Sequence, residues 1–489
     1  MKTICPMLLL ISFLLSACSS VRQSGNQISN DPPSNPIQPL SSQIDSVLGD
    51  SLLSPAFIGI KIVSLDNGNI IYERNSKKLF HPASNMKLLT TATALHLLDK
   101  DFQFRTGLFM DSIVQKGVLN GNLYVKGMGD PLFKTEDIDS LAKSVRQRGI
   151  QEINGDIIGD VTYFDSLSWG AGWMWDDEPD ADEAFITPLT VNSNAIQIIV
   201  APGRSIGNPV NVSLEPNTEY VSVSNFGVTS SDTLIPPLTV TRNRGENHVI
   251  VRGRMLPLEK PKQFTLSVRQ PEMYLLTLLK ERLLAEGVSI KGKIAIDTVQ
   301  SNLMVSEISH PIDSVISRCN KESDNIAAEN LLKSMASEKL QPPGSAVNGL
   351  SLVREYLLNA GIDTSRVILF DGSGVSWYNA ISPDEIVDVL QKEFNDKSTF
   401  RRFFESLPIA GVDGTLKNQM NGSAAEGKVH AKTGTLTGAS GLSGYITTAD
   451  NRLLAFSILG NHFPGKVSVL RKAQNKIMEL LVKFRSASQ

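Results

Sequence analysis

The chain has 489 residues, of which 41% are hydrophobic and 20% are charged, and its formal net charge is -3 at pH 7. This length is enough for two or three domains with a sizeable buried core, and the composition is that of an ordinary soluble globular protein. The charge balance indicates no basic face, so no binding to nucleic acid is predicted. No long apolar stretch follows the first twenty residues, which excludes a membrane span further along the chain.

The N-terminus has the features of an export signal. Lys2 precedes an apolar core at residues 7–15, which is too short for a comfortable membrane span and predicts a removable secretory signal at residues 1–17. Residues 15–18, Leu-Ser-Ala-Cys, resemble the lipobox of bacterial lipoproteins, which are cut before the Cys and diacylated on it, so Cys18 is the predicted lipidation site. A plain signal peptide with a chance Cys is the alternative. Residues 19–22 carry no acidic retention signal, which favours an outer-membrane anchor that faces the periplasm, with no other membrane contact.

Only one unmodified cysteine is expected in the mature chain. Cys5 leaves with the signal and Cys18 would carry lipid, which leaves Cys319. No intramolecular disulfide is therefore possible, even though the compartment would allow one. Cys319 is predicted to be a small buried hydrophobic side chain rather than a reactive thiol.

Residues 18–42 are rich in Ser, Asn, Gln and Pro, and this composition predicts a flexible tether between the anchor and the folded protein. Order is expected from about Ile44, with a short helix to Leu53. Two β-rich runs, at residues 57–63 and 70–72, flank the sequence Asp-Asn-Gly-Asn and predict a hairpin. Residues 86–98 are rich in Ala and Leu without Gly or Pro, which predicts a buried helix.

The character of the sequence changes at about residue 106 and changes back at about residue 305. Between them, short strand-like runs are punctuated by Gly, with one predicted helix at 271–286. Residues 106–305 are therefore predicted to form either one mostly-β domain or two nested ones. Longer helices then return at 326–335, 346–360 and 383–394, followed by strands and a helix at 466–484. Residues 43–105 together with 306–489 are therefore predicted to form one α/β domain, closed by both termini, with the β-rich stretch inserted.

Ser84 and Lys87 are the first candidate catalytic pair. Pro82 keeps a helix from extending upstream, so Ser84 lies at the start of the following helix, on the same face as Lys87. A Lys with a lowered pKa can take the proton of a serine hydroxyl, and a helix N-terminus favours the negative charge that develops. Alone the pattern is weak, because Ser140 and Lys143 share the spacing by chance and an N-cap serine beside a solvated lysine would explain it.

Two further motifs strengthen this interpretation. Ser323-Asp324-Asn325 stands at the start of a predicted helix, where its alternative role is helix capping, and residues 432–435, Lys-Thr-Gly-Thr, lie on a predicted strand. Ser-x-x-Lys, Ser-x-Asn and Lys-Thr-Gly in this order are the motif set of penicillin-binding proteins and class A β-lactamases. No His-Glu-x-x-His zinc motif or Gly-x-Ser-x-Gly elbow occurs and the six His residues are scattered, so neither a metal nor a cofactor is predicted.

A wider set of segments resembles one family. These segments are residues 82–90, 127–131, 320–325, 371–374, 411–416 and 432–435. They resemble the D-alanyl-D-alanine carboxypeptidase/endopeptidase family, the class C low-molecular-mass penicillin-binding proteins or S13 peptidases, from about residue 44 to 484. The large stretch between Ser84 and Ser323 is what distinguishes this family from its relatives. The resemblance implies a penicillin-binding/serine β-lactamase-like transpeptidase domain of the α/β (α+β) class with inserted mostly-β domains.

The resemblance also implies roles for the first two motifs. Ser84 would form the acyl-enzyme, and Lys87 would be the base for acylation. Ser323 and Asn325 would relay protons and hold the substrate amide.

The third motif would bind the substrate. Lys432 would supply positive charge near the substrate carboxylate, and Thr433 or Thr435 would hydrogen-bond it. Gly434 would let a ligand backbone approach closely. The backbone N–H groups of Ser84 and Thr435 would form the oxyanion hole, typically worth about 3 kcal/mol.

One departure from the family pattern concerns the substrate side chain. Family members that recognise diaminopimelate commonly carry an Arg shortly after residues 371–374, where this chain has Trp377. An Arg clamps a carboxylate with two hydrogen bonds, and Trp377 cannot. Either another residue takes over or the acyl-side specificity differs, and Trp377 as a surface aromatic is an equal alternative. Asp160, in the inserted stretch, resembles the acidic partner in that subsite.

The leading hypothesis is an exported serine-type D-Ala-D-Ala carboxypeptidase or D,D-endopeptidase. Its expected partners are peptidoglycan peptides that end in D-Ala or are crosslinked through it, and β-lactams, which would inhibit it covalently. A β-lactamase is one alternative, although no dedicated deacylating Glu is evident near the motifs. A non-catalytic lipoprotein that binds wall peptides is another, and the intact Ser84, Lys87 and Lys432 argue against it.

Overall fold

A computed structural model describes residues 37–301, 303–463 and 465–485. The predicted signal peptide at residues 1–17, the lipidation site Cys18 and most of the predicted tether lie outside the described residues. The expectation that order begins at Ile44 is wrong, because helix α1 (Ile37–Leu48) begins inside the predicted tether. Its Leu40, Ile44 and Leu48 are buried and recur every fourth residue, so one apolar face anchors a helix of otherwise polar composition.

The segment before the inserted stretch forms the predicted hairpin and buried helix. Its elements after α1 are a 3-10 turn (Ser51–Leu53), β1 (Phe57–Ser64), β2 (Ile70–Arg74), a 3-10 turn (Ala83–Asn85) and α2 (Met86–Leu97). β1 and β2 pair antiparallel, and Gly68 between them has φ 72°, a left-handed conformation that suits glycine. α2 is buried almost throughout, which confirms the predicted buried helix.

The middle of the chain is rich in short strands. Its elements are β3 (Gln103–Met110), β4 (Val114–Gln115), β5 (Val118–Leu119), β6 (Leu123–Gly127), α3 (Thr135–Gln147), β7 (Glu152–Ile153), β8 (Ile157–Asp160), β9 (Ala195–Ala201), β10 (Asn211–Glu215), β11 (Ser222–Thr229), β12 (Thr239–Arg242), β13 (His248–Met255), β14 (Lys262–Ser267), α4 (Pro271–Ala285), β15 (Ser289–Ile290), β16 (Ile294–Ile296) and β17 (Leu303–Pro311). α4 confirms the helix predicted here, whereas α3, an amphipathic helix, was not among the predicted elements.

These strands form four sheets, with the orders β16-β8-β6-β3-β17, β15-β7-β5-β4, β10-β9-β14 and β11-β13-β12. β3 and β17 pair antiparallel, with Gln103 opposite Pro311. The chain therefore enters and leaves this part of the fold on neighbouring strands.

The last segment returns to longer helices and completes the first sheet. Its elements are α5 (Ile312–Lys321), α6 (Asn325–Leu340), α7 (Ala346–Asn359), α8 (Pro383–Asn395), α9 (Phe400–Ser406), β18 (Val429–Leu436), β19 (Ala439–Thr447), β20 (Leu453–Asn461) and α10 (Ser468–Lys483). The helices predicted at 326–335, 346–360, 383–394 and 466–484 are confirmed as α6, α7, α8 and α10. The sheet order is β18-β19-β20-β1-β2, so strands from both ends of the chain lie side by side.

The buried apolar side chains divide along the same lines. One cluster surrounds α2 with α5 to α8. A second joins α1 and α10 to the sheet β18-β19-β20-β1-β2. A third cluster is built from residues between Leu108 and Val305. The domain bounds at 106 and 305 stay a prediction, which this separation of cores supports. No helix in the described ranges is long and apolar enough to cross a bilayer.

Candidate active site

Ser84 lies in a short turn that its neighbours hold in one conformation. The 3-10 turn precedes α2, and Ala83 has φ 48°, which is uncommon for a residue with a Cβ. The fully buried Asn85 donates from Nδ2 to the carbonyl of Pro82 at 3.2 Å. Ser84 itself stays partly exposed, so its hydroxyl is accessible to a ligand.

Strand β18 passes close to this turn because residue 434 is Gly. A Cβ on Gly434 would lie 2.8 Å from the carbonyl oxygen of Pro82 and 3.0 Å from the backbone nitrogen of Ser84. Gly441 is paired opposite on β19, and a Cβ there would overlap Asn85. The two glycines therefore let the turn that carries Ser84 dock directly on the sheet.

Lys87 contacts the hydroxyl of Ser84 and two other acceptors. Its Nζ donates to Ser84 Oγ at 2.9 Å, to Asn325 Oδ1 at 2.5 Å and to the backbone carbonyl of Ser373 at 2.7 Å. Asn325 comes from the first turn of α6, and its Nδ2 donates to the carbonyl of Asp182 at 2.7 Å. The Ser-x-x-Lys spacing thus gives the contact that the sequence predicts, and three acceptors fix the amine.

A second amine contacts a second serine. Lys432 Nζ donates to Ser323 Oγ at 2.8 Å and to the carbonyl of Thr433 at 2.8 Å. Ser323 has φ 61°, and Asp324 after it caps α6 by accepting from the Ala327 N–H at 2.9 Å. The cap that could have explained the Ser-x-Asn motif is therefore present, and it also places Ser323 beside Lys432.

Burial shifts both amines toward their neutral forms. Lys87 and Lys432 are each 0% exposed. Burial lowers the pKa of Lys87, and nearby Cys319 and Asp371 oppose that shift. Burial and then the charge of Lys87 lower the pKa of Lys432 well below its ordinary value. An amine with a lowered pKa can accept a proton at a lower pH than free lysine can.

The threonines of β18 face two different partners. Thr433 Oγ1 donates to Thr415 Oγ1 at 2.7 Å. Thr435 is exposed, and its Oγ1 accepts from Arg471 Nη2 at 2.9 Å. β18 is also an edge strand, so it can pair with an extended peptide.

The turn at residues 371–376 is a part of the site to which the sequence assigned no role. The carbonyl of Ser373 in this turn accepts from Lys87. Glu329 on α6 is buried and accepts from the N–H groups of Gly372 and Ser373 at 3.0 and 2.8 Å. Burial, and then the nearby Asp371, raise the pKa of Glu329. The shared segment 371–374 was the only signal, and it does not reveal which atom contacts Lys87.

Asp160 and Trp377 lie apart from these contacts. Asp160 ends β8, and its buried carboxylate accepts from Thr162 and from the Val299 N–H, while Lys126 Nζ is 3.6 Å away. Burial alone would raise the pKa of Asp160, but these hydrogen bonds lower it. Trp377 packs edge-on against His81, with ring centroids 4.9 Å apart. Their roles in choosing the substrate side chain stay predictions.

Two other sequence predictions have structural counterparts. Ser140 is exposed on α3, where its Oγ donates to the carbonyl of Glu136 instead of meeting Lys143. Cys319 is buried as a free thiol. In the described part of the chain, no group of three His, Cys, Asp or Glu side chains could hold a metal ion.

A cleft of about 740 Å³ adjoins the Ser-x-Asn motif. Its walls come from both parts of the fold and include Lys134, Arg282, Arg318, Asp182, Ser323 and Asn325. Residues of the inserted stretch thus line the same cleft as the Ser-x-Asn motif.

Comparison with known proteins gives matches across the same range of the chain. Residues 40–484 match the model of the D-Ala-D-Ala carboxypeptidase 3 (S13) family. A D-alanyl-D-alanine carboxypeptidase of Actinomadura sp. (strain R39) is 34% identical over 442 residues, which cover 87% of this chain and 81% of that protein. The D-alanyl-D-alanine carboxypeptidase DacB of Haemophilus influenzae is 28% identical, and the match covers 85% of this chain and 92% of that protein.

A solved structure shares the fold. The crystal structure of penicillin binding protein 4 from H. influenzae has a TM-score of 0.79 at 24% identity, and the match covers 92% of this chain and 99% of that one. This confirms the predicted penicillin-binding fold class. With the family match over residues 40–484, the chain belongs to the D-Ala-D-Ala carboxypeptidase 3 (S13) family.

Proposed function

We propose that this protein is a serine-type D-Ala-D-Ala carboxypeptidase and D,D-endopeptidase that acts on peptidoglycan stem peptides and is inhibited covalently by penicillins. The observation that carries this proposal is the buried Lys87 amine, 2.9 Å from the hydroxyl of Ser84. The names of the matched relatives add the substrate class, since they are carboxypeptidases for D-alanyl-D-alanine.

Acylation begins when Ser84 Oγ attacks the carbonyl carbon of the penultimate D-Ala. Lys87 accepts the hydroxyl proton, because its lowered pKa favours the neutral amine. The oxyanion is stabilised by the N–H groups of Ser84 and Thr435, on the turn and the strand that Gly434 brings together. The carbon–nitrogen bond then breaks, and the proton taken from Ser84 passes from Lys87 to the leaving nitrogen, with Ser323 as the relay.

Deacylation reverses this sequence with water as the nucleophile. Water attacks the acyl carbon and gives one proton to the site, the bond to Ser84 Oγ breaks, and that proton restores the serine hydroxyl. The bound substrate carboxylate raises the pKa of Lys432, so Lys432 takes up a proton and supplies positive charge for that carboxylate. Thr433 and Thr435 supply hydroxyls on the edge strand that binds the peptide. Penicillins follow the first half of this path and leave the acyl group on Ser84.

Labelling with fluorescent penicillin tests this proposal. The wild-type protein should take up one label per chain, and Ser84→Ala should take up none. Ser140→Ala is the matched control, since Ser140 has the same Ser-x-x-Lys spacing and lies exposed on α3. Ser84→Ala that labels as fully as the wild type would remove Ser84 as the nucleophile.

A muropeptide assay distinguishes the competing functions. The wild-type protein should release D-Ala from a pentapeptide or cleave a crosslinked dimer, and Ser84→Ala should do neither. Rapid hydrolysis of a chromogenic cephalosporin would indicate a β-lactamase instead. Binding of the peptides without cleavage would indicate a non-catalytic lipoprotein.

We also propose that the protein acts outside the cytoplasm, anchored to the outer membrane on the periplasmic side through lipid on Cys18. The support is the apolar core at residues 7–15 followed by Leu-Ser-Ala-Cys, together with the cell-wall substrate. Incorporation of radiolabelled palmitate by the wild type, and its loss in Cys18→Ser, would check the anchor.

A further inference from the structure

Residues 161–193, between β8 and β9, form a covering segment that runs along helix α6. Hydrogen bonds attach it from one end of the helix to the other. They join Ser337 Oγ to the Tyr163 carbonyl, Lys333 Nζ to Asp165 Oδ1 (2.6 Å), Asn330 Nδ2 to Thr190 Oγ1 (3.1 Å), Asn325 Nδ2 to the Asp182 carbonyl (2.7 Å) and Ser193 Oγ to Asp324 Oδ2 (3.1 Å). A segment of the inserted stretch is thus fastened to the helix that carries Asn325.

Apolar packing holds the middle of the covering segment against the same surface. Its Trp173 is buried and belongs to a small cluster with Ile326 of α6 and Val375 of the turn at residues 371–376. The indole N–H of Trp173 donates to Asp371 Oδ2 at 2.9 Å, a bond between residues 198 positions apart. Trp173 therefore joins the inserted stretch to the turn that carries the Ser373 carbonyl.

Asp371 holds that turn together. Its two carboxylate oxygens accept from Trp173, from the Gly374 N–H at 2.8 Å, from the Ser376 N–H at 2.7 Å and from Asn379 Nδ2 at 2.7 Å. Ser373 lies inside this hydrogen-bonded loop. The position of the Ser373 carbonyl, which accepts from Lys87, consequently depends on how Asp371 is held.

Two polar contacts of the covering segment thus converge on one amine. The Asp182 carbonyl holds Asn325, which accepts from Lys87, and Trp173 holds Asp371, which organises the turn whose Ser373 carbonyl also accepts from Lys87. We propose that the covering segment of the inserted stretch positions Lys87 for acylation, with Trp173 as the positioning residue. This inference rests on the proposed function.

The physical reason is the flexibility of a lysine side chain. A lysine side chain has several rotamers, and Lys87 adopts one that brings its Nζ to 2.9 Å from Ser84 Oγ. The Asn325 and Ser373 acceptors select that rotamer, and a shift of about 1 Å in a reacting group can slow a reaction about 100-fold. These two acceptors come from α6 and from the turn at residues 371–376. The covering segment is hydrogen-bonded to α6 through Asn325 and to the turn through Asp371.

The same two acceptors favour the charged form of Lys87, since they receive its N–H groups. Other titratable groups around Lys87 also act on its charge. The acidic ones are Cys319 on α5, Asp324 at the N-cap of α6, Glu329 on α6, Asp371 in the turn, and Asp182 and Glu183 in the covering segment. The basic one is Lys432 on β18. If the Ser373 carbonyl moves away, the pKa of Lys87 falls further. The rising limb of the acylation rate then moves to lower pH, while the plateau also falls.

The experiment compares Trp173→Phe with Trp169→Phe. Both remove an indole from the covering segment, and the rings of Trp169 and Trp173 pack against each other at 5.3 Å, but it is Trp173 that donates to Asp371. The readout is the second-order rate of acylation by fluorescent penicillin across pH, divided by the number of sites labelled at saturation. This division removes any molecules that fail to fold.

Trp173→Phe should lower the plateau about 10-fold and move the rising limb to lower pH, whereas Trp169→Phe should match the wild type in both. Equal behaviour of the two variants would overturn the proposal, and so would a lower plateau in Trp173→Phe without movement of the limb, which a purely structural defect produces. Failure of the wild-type protein to acylate would instead contradict the proposed function, so the two failures are distinguishable.

Discussion

Lys87 and Lys432 are two fully buried amines, and each donates to one serine hydroxyl of the site. Placing two amines in the interior costs solvation free energy, and the folded state lowers that cost by releasing protons. The resulting neutral amine is what a serine nucleophile needs as its base. At the scale of residues, the instability of a buried charge is therefore also the source of the chemistry.

Lys432→Met should change how the free energy of unfolding depends on pH. Burial and then the charge of Lys87 hold the pKa of Lys432 well below its ordinary 10.5 in the folded protein. The unfolded chain therefore binds this proton more tightly, so the folded state is penalised fully below the folded-state pKa, and the penalty disappears as the pH rises to the ordinary value. Relative to the variant, the wild type should therefore gain free energy of unfolding between pH 7 and pH 10.

Urea unfolding of both proteins at the two pH values measures this gain. Lys472→Met is the control, because Lys472 is exposed on α10. A difference between wild type and Lys432→Met that stays constant with pH would contradict the effect of burial on Lys432.

At the scale of elements, the site depends on how closely β18 approaches the turn before α2. Gly434→Ala should slow acylation by penicillin about 100-fold, because the new Cβ would lie 3.0 Å from the backbone nitrogen of Ser84 and must push Ser84, the proposed nucleophile, away. Gly460→Ala on β20 is the matched control, since its Cβ would meet the side chain of Leu470 and no part of the turn that carries Ser84. Acylation rates per labelled site measure both variants, and equal rates would show that the close approach is unimportant.

The elements of this site differ in how far the sequence alone could predict them. Local signals were sufficient for the hairpin around Gly68, for α2, and for the Ser84–Lys87 contact, which spans only one turn. The Ser373 carbonyl and Trp173 were not predictable, because their contacts join residues 286 and 198 positions apart and involve a backbone atom or a single N–H. α3 was also missed, since its apolar residues follow a helical period inside a region dominated by strand-like runs.

At the scale of the whole molecule, the inserted stretch is both separate and connected. Its core is built from residues between Leu108 and Val305, and the cores of the other part use residues on either side of that range. Yet β3 and β17 pair at the junction, and the covering segment is bonded along α6. A stretch with its own core can therefore still contact the helix that carries Asn325.

Leu278→Ala and Leu331→Ala test this arrangement, because both side chains are 0% exposed, the first in the core of the inserted stretch and the second in the core around α2. Each substitution should cost about 3 kcal/mol from lost burial and the cavity it leaves. In calorimetry the two variants should lower different unfolding transitions. Leu278→Ala should also lower the temperature at which penicillin acylation is lost, since unfolding of the inserted stretch releases the covering segment from Lys87's two acceptors. One common transition lowered equally by both substitutions would contradict the prediction that the parts divided at residues 106 and 305 unfold as separate cooperative units.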